Sequence, residues 1–230
     1  FRSITELWLG GDHYKWRVMR SNGVDEDYIT GDKPAFERFL KFVESLEMAI
    51  GNPMYHWCHL ELKRYFGYDG VLNGDTAQLV WDLACEKLKE DDMGVRGIIR
   101  RSNVAFIGTT DDPVDSLEWH EKIAADPTIK TVVAPSFRPD KALNVNKDGW
   151  TDYIATLSRV SGVEIKDLES LKQALRLRMD YFNARGCKAS DHGLDAAFFR
   201  PAAPETVDGI VKKGLAGETV TPEEGEQLKT

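Results

Sequence analysis

Between Phe36 and Ile50 the apolar residues return at helical intervals: Phe36, Phe39, Leu40, Val43, Leu46 and Ile50. That spacing predicts an amphipathic helix, with Asp32 as its N-cap ahead of Pro34. Gly51-Asn52-Pro53 stops this helix and starts another, from about Met54 to Phe66, which ends at Gly67. Asp75 with Gln78 three residues later reads as a capping box. The stripe behind it is Leu79, Val80, Leu83 and Leu88. No strand-like alternation interrupts this region, so residues 1–101 read as a helical subdomain.

Near residue 103 the pattern changes. "NVAFIGTTDDP" is a short apolar run ending in polar residues, with Asp112-Pro113 expected to open a helix whose inner face is Leu117, Ile123 and Ala124. "IKTVVAPSFRPDK" repeats the scheme. A long helix is predicted from about Asp167 to Ala184, with Leu168, Leu171, Leu175, Met179 and Phe182 inward and Gly186 as terminator. "CKASDHGLD" reads as a third short strand, and residues 201–230 hold helices near Glu205 to Lys213 and Pro222 to Leu228. Strand, polar loop and helix in succession is the pattern of parallel βα units, here over residues 102–230. The polar residues fall at the carboxyl ends of the strands, the face where βα barrels do their chemistry. A closed barrel needs eight strands and about 250 residues. The reading is therefore a small open α/β domain or part of a larger (β/α)8 TIM-like barrel. A start at Phe1 without a methionine, and an acidic helical end, favour the second. The unpaired sheet edges are expected to drive self-association, hence a homo-oligomer, or partial disorder near residues 201–230.

Composition narrows the class. A 42% hydrophobic and 30% charged chain is an ordinary globular composition. The net charge of −8 argues against nucleic acid and anionic membrane surfaces as partners. No apolar run approaches the roughly 18 residues of a membrane helix, and no secretory signal opens the chain. Cys58, Cys85 and Cys187 are odd in number and far apart, which fits reduced, mostly buried thiols in the cytoplasm.

"GGDHYKWR" at positions 10 to 17 sets an imidazole, a phenol and two cations directly after a glycine turn. Two readings are open: a helix start with a solvated basic face, or a site. His56 and His59 share one helix face, but no third ligand beyond Glu61 or Cys58 completes a metal set, and helical packing is the expected role. His120 reads as a helix-surface residue.

The segments "LWLGGDHYKWRVMRSNGV", "IGNPMYHWCHLEL", "GTTDDPVDSLEWH", "PSFRPDKALN" and "GCKASDHGLD" resemble uronate isomerase (glucuronate isomerase), a family of the amidohydrolase superfamily, in order along essentially the whole chain. The resemblance implies a distorted (β/α)8 barrel of the metal-dependent hydrolase type with a helical insertion. It also implies aldose–ketose isomerisation of hexuronates: glucuronate to fructuronate, galacturonate to tagaturonate. The small-molecule partner is then a hexuronate. A divalent metal, zinc or manganese, is implied for the intact enzyme. The chain departs from the family in lacking its His-x-His pair, and it stops before the aspartate and arginine of the last strand. The main metal ligands are thus absent from this chain, and the chain alone is expected to be inactive.

Such an isomerisation moves a proton from C2 to C1 through an enediol(ate). It needs a base, a donor or metal on the carbonyl oxygen, and a clamp for the remote carboxylate. His13 and Tyr14 match the family's His-Tyr pair, placed on a loop above the barrel. Tyr14 would donate to the oxyanion or shuttle a proton, and His13 would bind substrate. Arg138 follows a predicted strand, and its planar guanidinium suits a uronate carboxylate or its hydroxyls better than a lysine would. Of Asp111 and Asp112, one is expected to cap a helix and the other to orient His13, Arg138 or a water. Asp111 and His192 join Arg138 and His13 as expected substrate-binding residues, with Asp191 beside them. Lys15, Trp16 and Arg17 are expected to hold the loop. His13 and Tyr14 should lie on the same side as the strand ends carrying Asp111 and Arg138. Two other classes stay open: a degenerate or truncated uronate-binding homologue without catalysis, and a metal-dependent amidohydrolase.

Overall fold

In the computed structural model, which describes residues 1–194 and 197–230, apolar side chains gather in two compact units, Phe1–Asn103 and Val104–Thr230.

The first unit is helical: α1 (Ile4–Leu9), α2 (His13–Ser21), α3 (Glu26–Ile29), α4 (Ala35–Glu47), α5 (Pro53–Glu61), α6 (Ala77–Lys87) and α7 (Val95–Arg101). Its core joins Trp8, Met19, Phe39, Phe42, Leu46 and Leu62, all essentially inaccessible. Trp8 meets Phe42 edge-on at 5.8 Å between ring centroids. Each such side chain contributes about 1.5–3 kcal/mol by leaving water. The break at Gly51-Asn52-Pro53 stands as expected: Asn52 caps α5, Pro53 occupies its first turn, and a π turn over Leu62–Phe66 closes on Gly67 at φ +74°. Other details differ. Pro34, not Asp32, is the residue before α4. Ile50 lies past the end of α4 and is exposed. Asp75 and Gln78 form no capping box. Asn73 and Thr76 instead exchange hydrogen bonds of 2.9 and 3.0 Å one turn earlier, and Thr76 is the N-cap. α6 buries Ala77, Val80 and Ala84 and leaves Leu79 and Leu83 exposed. The small alanines admit Trp81 against Phe36 and Phe39.

The second unit carries β1 (Phe106–Asp111), α8 (Glu118–Ala124), β2 (Val132–Phe137), α9 (Asp140–Leu143), α10 (Trp150–Ser161), α11 (Leu168–Asn183), α12 (Pro204–Leu215) and α13 (Pro222–Lys229). β1 and β2 pair in parallel, Phe106 opposite Val132 through Asp111 opposite Phe137. The predicted third strand is reduced to one parallel bridge, Ser190 on Phe137. Lys188, Ala189 and Ser190 offer no β-branched pair to extend it; Asp195, at the end of that predicted run, lies outside the described residues. Side chains alternate along β1, so Ile107, Thr109 and Asp111 share one face. On that face Phe137 packs edge-on against Phe182 of α11 at 5.1 Å, with Leu117 beside them.

Asp112-Pro113 does not open a helix. Asp112 accepts from Val114 N and donates its own N–H to Asp115, forming a turn, and α8 begins only after Leu117 at φ +57°. A buried leucine held left-handed costs about 1–3 kcal/mol. The inner face of α8 is His120, with Ile123 half-buried and Ala124 exposed. α11 spans nearly the predicted range and is capped by a reciprocal Asp167–Ser170 box. Its inward residues are Leu168, Leu171, Ala174, Arg178 and Phe182, while Met179 faces out. α10, with Trp150, Ile154 and Leu157 inward, was not anticipated, although its apolar residues keep a 4,3 spacing. α12 and α13 match the expected C-terminal helices. Gly214 of α12 lies so close to α10 that a Cβ there would sit 2.5 Å from Val145 and 2.9 Å from Trp150.

Candidate functional site

Parallel pairing brings the polar residues after β1, β2 and Ser190 to one end of the second unit. β2 lies between its neighbours: the Arg138 N–H donates to Asp111 O at 3.0 Å, and the Asp191 N–H donates to Phe137 O at 3.2 Å. At this end the Arg138 guanidinium pairs with Asp191 through Nη2, both side chains 37% exposed. Arg138 Nε is buried without a hydrogen-bond partner among the described residues. Two residues on, Asp140 accepts from His192 Nδ1 with one oxygen and from Gly193 N with the other, each at 2.7 Å. Arg138, Asp191, Asp140 and His192 thus form one cluster at the carboxyl ends of the strands.

Asp111 belongs to the same strand end but turns to the helix-covered face. Thr109 Oγ1 donates to its carboxylate at 2.6 Å, and His120 Nε2 lies 2.7 Å from the same hydroxyl. The hydroxyl proton is spent on the carboxylate, so His120 must donate through Nε2–H. His120 is therefore buried, not the surface residue expected. Asp112 accepts from Tyr153 OH at 2.8 Å and faces Lys141 Nζ at 3.4 Å. Burial and that carboxylate push the Tyr153 phenol well above its ordinary value. Arg178 reaches from α11 to donate to Pro113 O at 2.6 Å and Asp115 O at 2.8 Å, which pins the loop after β1. His120, Asp140, Tyr153 and Arg178 were not foreseen in these roles. The signal that existed was the oddity of a buried-face histidine and arginine within apolar stripes.

His13 and Tyr14 belong to the first unit. They are not in a loop: they open α2, whose N-cap Asp12 accepts from the N–H groups of Tyr14 and Lys15 at 2.9 and 3.2 Å. Their rings stack at 4.4 Å, and Arg17 lies 5.5 Å from the Tyr14 ring. Tyr14 is 59% exposed, on the border of an open groove of about 790 Å³ that also includes Arg17 and Trp57. Below them Lys15 is buried, 2.7 Å from Asp12 and over the Trp8 ring at 5.7 Å. Burial alone would raise the Asp12 carboxyl, but the Lys15 ammonium and the two backbone donors hold it below the usual range. Trp16 Nε1 donates to Leu9 O, so Lys15 and Trp16 do hold this segment.

The remaining titratable groups are accounted for by packing. His59 is bound at both nitrogens, to Tyr55 O at 2.7 Å and by Leu72 N at 2.9 Å, while His56 is exposed. Burial pushes the Cys58 thiol up to about 12. Among the described residues no three His, Cys, Asp or Glu side chains stand close enough to hold a metal ion, so they offer no ligand set for the implied divalent metal. No described helix is long and apolar enough to cross a membrane.

Comparison with known proteins bears on all of this. The family model for glucuronate isomerase matches residues 1–230. The uronate isomerase of Lachnospira eligens is 55% identical over the whole chain, and that of Lachnoclostridium phytofermentans 53%. The chain spans 49% of the length of each. The crystal structure of uronate isomerase from Thermotoga maritima superposes with a TM-score of 0.87 at 32% identity, covering 100% of this chain and 50% of that one. The crystal structure of glucuronate isomerase from Caulobacter crescentus gives 0.89 at 25% identity, covering 100% and 49%. The fold is accordingly that of a partial α/β barrel with a helical subdomain, and the chain belongs to the glucuronate isomerase family.

Proposed function

We propose that this chain supplies part of the active site of a uronate isomerase, converting glucuronate to fructuronate and galacturonate to tagaturonate when the relatives' full length is present. The observation that carries the reading is the cluster of Arg138, Asp191, Asp140 and His192 at the strand ends of a chain in this family.

The roles follow from chemistry. Arg138 binds the substrate carboxylate; Asp191 takes one guanidinium nitrogen and fixes the plane of the fork. His192 binds a substrate hydroxyl. Tyr14 donates its phenolic proton toward the carbonyl oxygen as charge develops there, and its exposed hydroxyl leaves room for a ligand. His13, stacked on Tyr14, holds the substrate by hydrogen bonds. Asp111 acts through its backbone and its brace to Thr109, holding Arg138 in place. Zinc or manganese would polarise the carbonyl oxygen in the whole enzyme, held by residues other than the described ones, which offer no ligand set.

The test is conversion of glucuronate and galacturonate by a full-length protein carrying this chain. Ketose formation is expected with both; binding without turnover would favour a degenerate uronate binder, and hydrolysis of amide substrates an amidohydrolase.

A further inference from the structure

The cluster at the strand ends contains a pair whose geometry determines more than proximity. A carboxylate such as that of Asp140 offers its oxygens as hydrogen-bond acceptors. One of its oxygens faces His192 Nδ1 at 2.7 Å, so that nitrogen carries a proton. The other oxygen is occupied by the Gly193 N–H at 2.7 Å, so the carboxylate cannot rotate away to leave the imidazole free. Asp140 is also the better shielded partner, its side chain 23% exposed against 46% for His192. A neutral imidazole has one N–H and one lone pair. With the proton on Nδ1, the lone pair is on Nε2, which has no partner among the described residues. Which ring nitrogen carries the proton is set by the hydrogen bond the ring makes, so the Nδ1–H form is the state that Asp140 imposes.

We propose that Asp140 is a positioning residue that locks His192 as its Nδ1–H tautomer, so that Nε2 accepts a hydrogen bond from a hydroxyl of a polyhydroxylated carboxylate substrate. The inference rests on the isomerase reading for the identity of that substrate. The surroundings fit such a ligand: Arg138, one residue before Pro139 and paired with the neighbouring Asp191, supplies the cation for the carboxylate. Lys141, next to Asp140, is 3.4 Å from Asp112. The pair therefore selects for a hydroxyl donor beside the bound carboxylate. A group that could only accept would face a lone pair.

Two measurements test this. The first is histidine side-chain ¹⁵N NMR of the chain in mildly alkaline solution, with His192 assigned by its loss in His192→Gln. Wild type is expected to show Nδ1–H, and Asp140→Ala to revert to Nε2–H. An Nε2–H tautomer of His192 in wild type overturns the lock, and this outcome does not depend on the Asp140 variant folding. The second is steady-state kinetics with glucuronate in a full-length uronate isomerase carrying this chain. Asp140→Ala is expected to raise KM about three- to tenfold, the size of one neutral hydrogen bond, with kcat little changed. Unchanged KM overturns the hydroxyl contact. Failure of the unmutated protein to turn over glucuronate would overturn the isomerase reading and the hydroxyl contact with it, while the tautomer result still decides the pair.

Discussion

His120 Nε2 lies 2.7 Å from Thr109 Oγ1, and that hydroxyl in turn donates to Asp111, so one helix and one strand are joined by a buried chain of two hydrogen bonds. Asp111 then accepts the Arg138 N–H through its backbone oxygen, which carries the brace to the strand that bears the guanidinium. Thr109→Val keeps the shape but strands the His120 N–H and one carboxylate oxygen. It should cost about 1–3 kcal/mol, read as a lower urea midpoint of the chain. A midpoint within error of wild type would show that the brace carries no load.

Tyr14→Phe should leave stability unchanged, because the side chain is exposed and its hydroxyl has no hydrogen bond among the described residues. In the full-length enzyme it removes one donor to the developing oxyanion, worth about 10²–10³ in kcat. Wild-type turnover would remove Tyr14 from the mechanism.

Asp12→Ala removes both the cap of α2 and the partner of buried Lys15. The loss of the cap alone costs about 1 kcal/mol. The pH dependence has a definite sign. The folded Asp12 carboxyl is held below its ordinary value, so its contribution is complete above the unfolded carboxylate pKa of about 3.9 and is lost as pH falls through the lower folded value. Thermal melts should separate wild type from Asp12→Ala at neutral pH and converge in acid. A gap that widened on acidification would contradict the pairing.

Gly214→Val drives a branched side chain into Val145 and Trp150. Overpacking of this kind costs about 1–3 kcal/mol. The urea midpoint of the chain should fall, and an unchanged midpoint would contradict the close packing of Gly214 on Val145 and Trp150.

Much of this molecule is legible in its sequence, and the exceptions share a cause. The helical first unit follows from apolar spacing and from punctuation at Gly51-Asn52-Pro53 and Gly67, because local signals decide helix ends. β1 and β2 follow from β-branched runs that end in polar residues. Periodicity fails where a polar residue takes an inward position. His120 on α8 and Arg178 on α11 are buried because the loop after β1 and the strand itself present hydrogen-bond partners that only the folded chain assembles. The same holds for Asp140: nothing within "SFRPDK" announces that residue 192 will return to it. The segment through Ser190 reads as a strand, yet it makes a single bridge, since pairing depends on a neighbour as well as on its own residues.

The central claim is that Arg138 binds the carboxylate of a hexuronate. Arg138→Lys keeps the charge and loses the planar fork that Asp191 holds in place. The measurement is steady-state conversion of glucuronate to fructuronate by a full-length uronate isomerase carrying this chain, with and without that substitution. KM should rise about tenfold or more, at least as much as kcat falls, the size of a charge-assisted hydrogen bond lost. A variant with wild-type KM and kcat would contradict it.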